Sequence, residues 1–497
     1  MASVYREEDL GFSVDRESLI RLLREVLPGD DLLLDNESMR PYECDGLSAY
    51  RELPLVVALP TTVEQVQDVL RICSALNVPV VARGAGTSLS AGALPHPQGV
   101  LLSLARFNRI LELDQDRRIA RVQPGVRNLA ISEAAAPHGL YYAPDPSSQI
   151  TCTIGGNVAE NAGGVHCLKY GLTVHNVLSV TMVTMDGDRV VLGSEALDSP
   201  GYDLLAAVTG SEGMLGIVVE VTVKLLPNPP AREVLLVAFP EVKSAGNAVA
   251  GIIAAGIIPG GLEMMDNPAI RAAEDFVHAG YPVEAAAILI CELDGNADEV
   301  RDQVARVRAL LRDLGANDIR VAETDEQRTR FWAGRKAAFP AVGRISPDYY
   351  CMDGTIPRKR LAEVLQRMQT LSAEYGQRVV NVFHAGDGNL HPLVLYDGNV
   401  PGEFERTEEL GGRILELCVE VGGTVTGEHG VGMEKINQMC LQFETAALDQ
   451  FRALKAAFDP NGLLNPGKAI PTLNRCAEFG AMHVHHGQLP HADIPRF

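Results

Sequence analysis

Two histidines flank an Asp-Gly pair in the segment HAGDGNLH, residues 384–391. The Asp387-Gly388 dipeptide favours a two-residue type I′ turn between two apolar arms, so the segment predicts a β-hairpin. Pairing outward from that turn sets His384 opposite His391, on one face of the hairpin and with Cβ atoms about 4.5–5.5 Å apart. Two imidazoles in this arrangement can bind one metal ion, and they can equally form a stacked aromatic pair on a half-buried sheet.

A second short segment, TGEHGVG, carries two more groups that suit such a site. Glu428 and His429 are adjacent, and adjacent side chains of extended backbone point to opposite sides. We therefore expect Glu428 to complete a metal site with His384 and His391, and His429 to face elsewhere and act as a base. Two histidines and one carboxylate leave coordination positions open for a substrate, with zinc or manganese as the expected ion. The alternatives are a glycine-flanked charged turn without function and a metal-dependent hydrolase built on the three ligands.

Two glycine-rich tracts, residues 78–95 (VPVVARGAGTSLSAGALP) and residues 144–171 (PDPSSQITCTIGGNVAENAGGVHCLKYG), could hold a phosphate. The first comes close to the dinucleotide motif G-x-G-x-x-G, but Leu89 stands at the third glycine and no long helix follows before Pro95. This context argues against a Rossmann nicotinamide site. The tract's backbone N–H groups and hydroxyls can instead cradle a diphosphate, with a plain surface turn as the simpler alternative. Because the second tract adds amides able to pair with a heteroaromatic ring, the two together indicate a cofactor with a diphosphate and a flat ring system.

These tracts, with HAGDGNLHP, GEHGVG and FDPNGLLNPGK, resemble the vanillyl-alcohol oxidase type of FAD protein over nearly the whole chain. The likeness is to its D-lactate, D-2-hydroxyglutarate and glycolate dehydrogenase branch, and most of all to the flavin-containing subunits of bacterial glycolate oxidases. The first loop has no histidine for a covalent link, so we expect FAD to be bound non-covalently. The resemblance implies that FAD is held by Arg83, Gly84, Ala85, Gly86, Thr87, Ser88, Gly92, Asp145, Ser148, Thr151, Gly155, Gly156, Asn157, Asn161, Gly163, Gly164, Ile217 and Asn465.

The same resemblance implies oxidation of glycolate to glyoxylate, and of D-lactate to pyruvate, with the hydride passing to the flavin. It assigns the metal to His384, His391 and Glu428 and the base to His429. Arg335 would bind the carboxylate of a small 2-hydroxy acid substrate, although alone it would be an ordinary surface charge. Apolar or weakly polar residues stand where the 2-hydroxyglutarate enzymes carry polar groups, which favours a short acid; they are Phe339, Cys351 and Met352. Alternatives are a D-lactate dehydrogenase acting alone and a non-catalytic assembly subunit.

The expected partners are a second flavin-type subunit and an iron–sulfur subunit, which pass electrons to a quinone. The net charge of −21 argues against nucleic acid as a partner, and membrane contact is expected only through the partner subunits. The start of the chain has no secretory pattern, so we expect a cytoplasmic protein at the inner face of the cytoplasmic membrane. The nine cysteines contain no C-x-x-C, which argues against a disulfide framework or an iron–sulfur cluster.

The elements that must position these residues follow from the hydrophobic pattern. Residues 53–83 read as strand, helix and strand, with Thr61 and Glu64 as a capping box at the start of the helix. Short strands follow as far as PNPP, residues 227–230, and longer alternating helices and strands come after it. The predicted fold is α+β: a vanillyl-alcohol oxidase-type FAD domain of two α+β subdomains, and an α+β substrate domain with an antiparallel sheet. The predicted parts are an N-terminal segment (1–52), the FAD domain (53–229), the substrate domain (230–424), a segment that returns to complete the active site and FAD domain (425–475), and a tail (476–497), which is a candidate docking surface.

Overall fold

The strand–helix–strand unit at 53–83 leads directly into the first glycine-rich tract. The computed structural model describes residues 4–196, 201–472 and 475–476. Helix Val63–Ala75 joins two parallel strands of a four-stranded sheet and buries one apolar stripe against it. The helix begins one residue later than the sequence predicts, because Thr62 and not Thr61 forms the capping box, with Gln65. The strands, in sheet order, are Leu32–Leu33, Val56–Ala58, Val100–Ser103 and Val80–Arg83.

A second sheet of five antiparallel strands completes the FAD-domain region. In sheet order its strands are Ile110–Asp114, Ile119–Val122, Ile217–Lys224, Val177–Val183 and Arg189–Gly193. A two-stranded ladder pairs Leu140–Tyr141 with Leu226–Pro227. The helices in and before this part of the chain, besides Val63–Ala75, are Glu7–Leu10, Arg16–Val26, Gly29–Asp31, Asn36–Met39, Arg40–Tyr42, Asn128–Ala135, Ala136–His138, Ile154–Glu160, Cys167–Tyr170, Thr173–Asn176 and Leu204–Val208.

The third sheet has seven strands, and every pairing described in it is antiparallel. Side chains alternate along the strand Ala231–Phe239, and those on the two faces enter two different hydrophobic cores, so both faces are covered. In sheet order the strands are Asp318–Val321, Ala231–Phe239, Ala287–Gly295, Gly261–Asp266, Val379–Phe383, Pro392–Tyr396 and Asp348–Cys351. The helices in this part are Val242–Ala254, Asn267–Val277, Ala297–Asp313, Asp325–Lys336, Ala338–Val342, Arg358–Arg360, Leu361–Tyr375 and Glu403–Glu420. The predicted α+β class is confirmed.

The end of the chain returns to the first sheet after helices Met439–Gln442 and Thr445–Phe458. Val80 donates a backbone hydrogen bond to Leu463, and Asn465 donates one to Val80, each at 2.8 Å. A disulfide joins Cys440 to Cys476, which the scattered cysteines did not predict, because only the fold brings two positions 36 residues apart into contact. The predicted docking tail otherwise lies outside the described residues. No helix among those described is long and apolar enough to span a membrane.

Candidate active site

The predicted hairpin forms between strands Val379–Phe383 and Pro392–Tyr396, but its register differs from the prediction by two residues. His384 pairs with Asn389, not with His391, across a four-residue turn. A type I′ turn needs positive φ at both central residues. Gly388 has a φ of 78°, whereas Asp387 is not among the residues with positive φ. Because side chains alternate with a period of two, a shift of two residues keeps both histidines on the same face.

The two histidines converge on Glu428 as the sequence predicts. Their rings lie edge to face with centroids 4.9 Å apart. Glu428 Oε1 lies 3.1 Å from His384 Nε2 and 2.9 Å from His391 Nε2. Burial alone would raise the pKa of Glu428, but the two imidazoles hold it well below its usual range. An ionised oxygen that faces two ring nitrogens is a donor set that suits a divalent cation.

His429 lies beside this cluster with its ring stacked on that of His391, 4.8 Å away and inclined by 5°. Its Nδ1 is buried and has no hydrogen-bond partner among the described residues. Burial lowers the pKa of His429 to about 4, so the ring is neutral near pH 7. A neutral imidazole with an unused nitrogen can accept a proton, which is the role that the sequence predicts for it.

Two buried carboxylates that the sequence analysis missed hold the backbone of the TGEHGVG segment. Asp353 accepts hydrogen bonds from the backbone N–H groups of residues 427–429, at 3.0, 3.1 and 2.8 Å. Glu212 accepts them from Val431 and Gly432, each at 2.7 Å. Both acids stand in short glycine-containing stretches that indicate only turns, so no local signal marks them. The backbone on each side of His429 is therefore fixed from a different part of the fold.

Arg335 is buried, and its guanidinium pairs with Glu263 at 2.7 Å. It is not among the residues that line the large cavity described below, so its role in binding a substrate carboxylate stays a prediction. Its Nε has no hydrogen-bond partner among the described residues and remains able to donate. Glu263, also missed by the sequence analysis, lies 2.9 Å from His384 Nδ1. A carboxylate in this position fixes the tautomer that leaves Nε2 available to a metal.

A cavity of about 620 Å³ runs from the glycine-rich tracts to the histidine cluster. His391, Glu428 and His429 form part of its wall. Many of the residues predicted to hold FAD line it, namely Arg83, Gly84, Ala85, Gly86, Thr87, Ser88, Gly92, Ser148, Gly155, Gly156 and Asn157. Phe339, predicted to favour a short acid, also lines it. Other lining residues were not predicted, among them Ala159, Glu160, Ser211, Glu212, Gly213, Gly216, Val218 and Lys336.

The other residues predicted to bind the cofactor do not line this cavity. Asn465 supports its floor, because its side-chain amide donates to the carbonyls of Gly92 and Glu212, at 3.0 and 2.7 Å. A Cβ at Gly163 would lie 2.5 Å from Glu428 Oε2, so this glycine leaves room for the cluster. The rest take capping, packing or loop positions, and Gly164 lines a different cavity; they are Asp145, Thr151, Asn161, Gly164 and Ile217. Their roles stay predictions.

The first glycine-rich tract fits a cofactor with a diphosphate. A Cβ at Gly84 would lie 2.2 Å from Thr153 Oγ1, so only glycine allows this approach of the two tracts. The Thr153 hydroxyl is buried and has no partner among the described residues, which leaves it available to a bound group. Gly86 has a φ of 68°, in the left-handed region that favours glycine. The cradle therefore has the donors and the clearance that FAD requires.

The predicted metal ligands are close together, although alternative sets are possible. Two groups of side chains bring their ligand atoms within 4.8 Å of one another, and His384 is in neither. One group is Asp353, His391, Glu428 and His429, and the other is Cys351, His391 and His429. Asp353 is already occupied by backbone N–H groups, which makes it a poorer ligand than Glu428. A divalent metal therefore stays a prediction, with His384, His391 and Glu428 as its ligands.

A charged contact joins the second glycine-rich tract to the seven-stranded sheet. The ring of His166 lies between two carboxylates, with Nδ1 2.8 Å from Asp145 and Nε2 3.2 Å from Glu292. Burial lowers the pKa of His166, but the two carboxylates outweigh it and raise the value to about 10. The imidazolium is therefore an ionic link between the cradle and the sheet that carries Glu263.

Two family models match the chain. Residues 54–193 match the FAD binding domain, and residues 228–469 match the C-terminal domain of FAD linked oxidases. Glycolate oxidase subunit GlcD of Escherichia coli (strain K12) is 66% identical over 484 residues, 97% of this chain and 97% of that protein. The subunit of the same name from Bacillus subtilis (strain 168) is 39% identical over 86% of this chain and 91% of its own. A D-lactate dehydrogenase of Archaeoglobus fulgidus is 34% identical over 84% of this chain and 92% of its own.

Solved structures agree with the fold at much lower sequence identity. p-Cresol methylhydroxylase has a TM-score of 0.80 and 18% identity, covering 95% of this chain and 98% of its own. The 4-ethylphenol oxidase of Gulosibacter chungangensis has a TM-score of 0.73 and 19% identity, covering 93% of this chain and 99% of its own. At this identity the likeness is one of fold alone.

Proposed function

The chain belongs to the family of FAD-linked oxidases, and on that premise we propose that it oxidises glycolate to glyoxylate, and D-lactate to pyruvate. The observation that carries the proposal is the single cavity that connects the FAD cradle to His391, Glu428 and His429. A cofactor held in the cradle and a small acid held at the cluster would then face each other. The high identity to glycolate oxidase subunits from two bacteria supports this choice of substrate.

The reaction removes one hydrogen from the hydroxyl oxygen and one from the carbon that bears the hydroxyl. FAD, when bound, supplies the acceptor for the hydride. His429 accepts the hydroxyl proton, since it is neutral and its Nδ1 is unused. His384, His391 and Glu428 would hold a divalent ion, which would supply Lewis acidity that makes a hydroxyl easier to deprotonate. The hydride and the proton together account for the two electrons and two hydrogens that leave.

Two other residues are proposed to bind the substrate carboxylate and to limit the chain length of the substrate. Arg335 is proposed to bind the carboxylate through its unused Nε, next to the Glu263–His384 pair. Phe339 lines the cavity with its ring 6.2 Å from that of His391, and it offers no polar group to a second carboxylate. On this ground we propose a preference for a short 2-hydroxy acid over a longer diacid such as D-2-hydroxyglutarate.

Electrons are proposed to leave through other subunits. The related proteins are named as subunits, so we propose a multi-subunit glycolate oxidase with a second flavin-type subunit and an iron–sulfur subunit. Through them the protein would deliver electrons to a quinone at the inner face of the cytoplasmic membrane. A D-lactate dehydrogenase that acts alone is the second candidate, favoured by the Archaeoglobus relative.

Anaerobic titration of the FAD-loaded protein tests the proposal. Glycolate and D-lactate should bleach the flavin absorbance, and D-2-hydroxyglutarate should do so poorly. FAD that binds but is reduced by none of the three acids would identify a non-catalytic assembly subunit. A folded protein that binds no FAD would instead favour the metal-dependent hydrolase. The ratio of glycolate to D-lactate reduction rates decides between the two dehydrogenase candidates.

A further inference from the structure

A second cavity, of about 760 Å³, reaches the histidine cluster from another side. Glu428 lines both cavities, whereas His384 lines only the second, and His391 and His429 line only the first. Glu428 is thus accessible from both cavities. The second cavity contains none of the residues of the first glycine-rich tract.

FAD bound along the two glycine-rich tracts would fill much of the first cavity. Its lining is dominated by the two glycine-rich tracts, and its volume is in the range that a single large ligand fills. Once FAD is bound, a small acid needs a path to the cluster that does not lead past the cofactor. The second cavity leads to Glu428 between the helix Val242–Ala254 and the segment 164–175.

Two cationic side chains line the second cavity, in addition to the carboxylates of Asp387 and Glu428. The whole chain has a net charge of −21, so an acid anion needs a local positive region to approach. Arg358 and Lys359 both line the cavity. Arg358 is fixed by a hydrogen bond to the carbonyl of Gly386, and no described carboxylate lies within ion-pair distance of Lys359. Asp387 also lines the cavity, close enough to Arg358 for their charges to interact.

We propose that the second cavity is the entrance through which small 2-hydroxy acid anions reach the histidine cluster, and that Lys359 and Arg358 attract them. This inference rests on the proposed function, since it needs a small anionic substrate. The entrance affects the association of the substrate anion and not the chemical step. Substitutions in the lining of the second cavity should therefore alter the second-order rate constant for flavin reduction by the substrate. They should leave the rate of flavin reduction at saturating substrate unchanged.

The test uses the full FAD-loaded protein in anaerobic stopped-flow experiments with glycolate. Ala254→Trp narrows the cavity from an exposed helix position, and its matched control is Ala255→Trp, which is exposed and does not line the cavity. Lys359→Gln removes one charge, and its control is Lys243→Gln, also exposed and outside the lining. A second readout is the association rate of oxalate, an anion that cannot give up a hydride, followed by the change in the flavin spectrum.

Ala254→Trp should lower the second-order rate constants of flavin reduction by glycolate and of oxalate association several-fold. The limiting rate of flavin reduction should be unchanged. Lys359→Gln should lower both second-order constants by about threefold at low salt, and the difference should vanish at about 1 M salt, where charges are screened within about 3 Å. The inference is overturned if both variants match their controls, or if the limiting rate falls instead of the second-order constants. If glycolate does not reduce the wild-type flavin but oxalate association still slows in the variants, the proposed function fails and the entrance stands.

Discussion

The substitution Asp353→Asn should loosen the segment that carries Glu428 and His429. Asp353 is fully buried, and its Oδ2 accepts hydrogen bonds from the Thr426 hydroxyl and from the backbone N–H groups of residues 427–429. Burial disfavours its charge, but nearby His429 and Lys435 outweigh this and lower the pKa of Asp353, so the carboxylate is ionised. Asparagine keeps the shape and one acceptor oxygen but removes the charge.

The size of the effect follows from the four bonds to one oxygen. A hydrogen bond to an ionised acceptor contributes about 1.5–3 kcal/mol and one to a neutral acceptor about 0.5–1.5 kcal/mol, so each bond loses about 1 kcal/mol. Four bonds that share one atom are not additive, and we expect a loss of about 2–4 kcal/mol. This corresponds to about 30- to 1,000-fold faster opening of the segment, since about 1.4 kcal/mol is tenfold.

Hydrogen exchange measured by mass spectrometry on peptides that cover residues 424–432 is the assay. The amides of residues 427–429 should exchange faster by the factor above, and turnover should fall as well. Asp397→Asn is the control, because Asp397 accepts two hydrogen bonds from Asn399 in an exposed turn. Amide exchange rates of residues 427–429 within about threefold of wild type would refute the reasoning, since a loss of about 2 kcal/mol corresponds to about 30-fold faster opening.

His429→Ala should keep FAD bound and lower turnover by about 10²–10⁴, and near-normal turnover would show that the base is another group. His384→Ala and Glu428→Ala should both lose metal on dialysis with FAD retained, and unchanged metal content in both would remove them as ligands. Glu263→Gln should weaken metal binding by about 10- to 100-fold without loss of FAD. Folding raises the pKa of His166 from 6.5 to about 10, so its stabilising effect is complete below pH 6.5 and lost as the pH rises through about 10. The Tm difference between wild type and His166→Gln should shrink over that interval, and a constant difference would contradict the ionic link.

Local patterns in the sequence indicate some of the groups of the candidate site, and the family resemblance adds others. The two glycine-rich tracts predict a phosphate cradle because glycine is required wherever backbone approaches backbone or ligand closely, and they line the cavity. The hairpin predicts that His384 and His391 share a face, alternation offers Glu428 as a third group, and both histidines contact Glu428 in the structure. Alternation along strands depends only on neighbouring residues, which is why it can be predicted without knowledge of the fold.

The tertiary structure decided which buried acids support those groups. Glu212, Glu263 and Asp353 come from segments far apart in the chain and stand in ordinary sequence contexts. An acid becomes important when burial removes it from water and leaves a backbone N–H or an imidazole as its partner, and burial is a property of the whole fold. The hairpin register also differed from the local pattern, since Asp387 does not take the positive φ that a type I′ turn needs. The sequence by itself therefore indicated which residues can react, and the fold determined what holds them in place, because hydrogen-bond partners that are 37 to 220 residues apart are set by packing and not by local pattern.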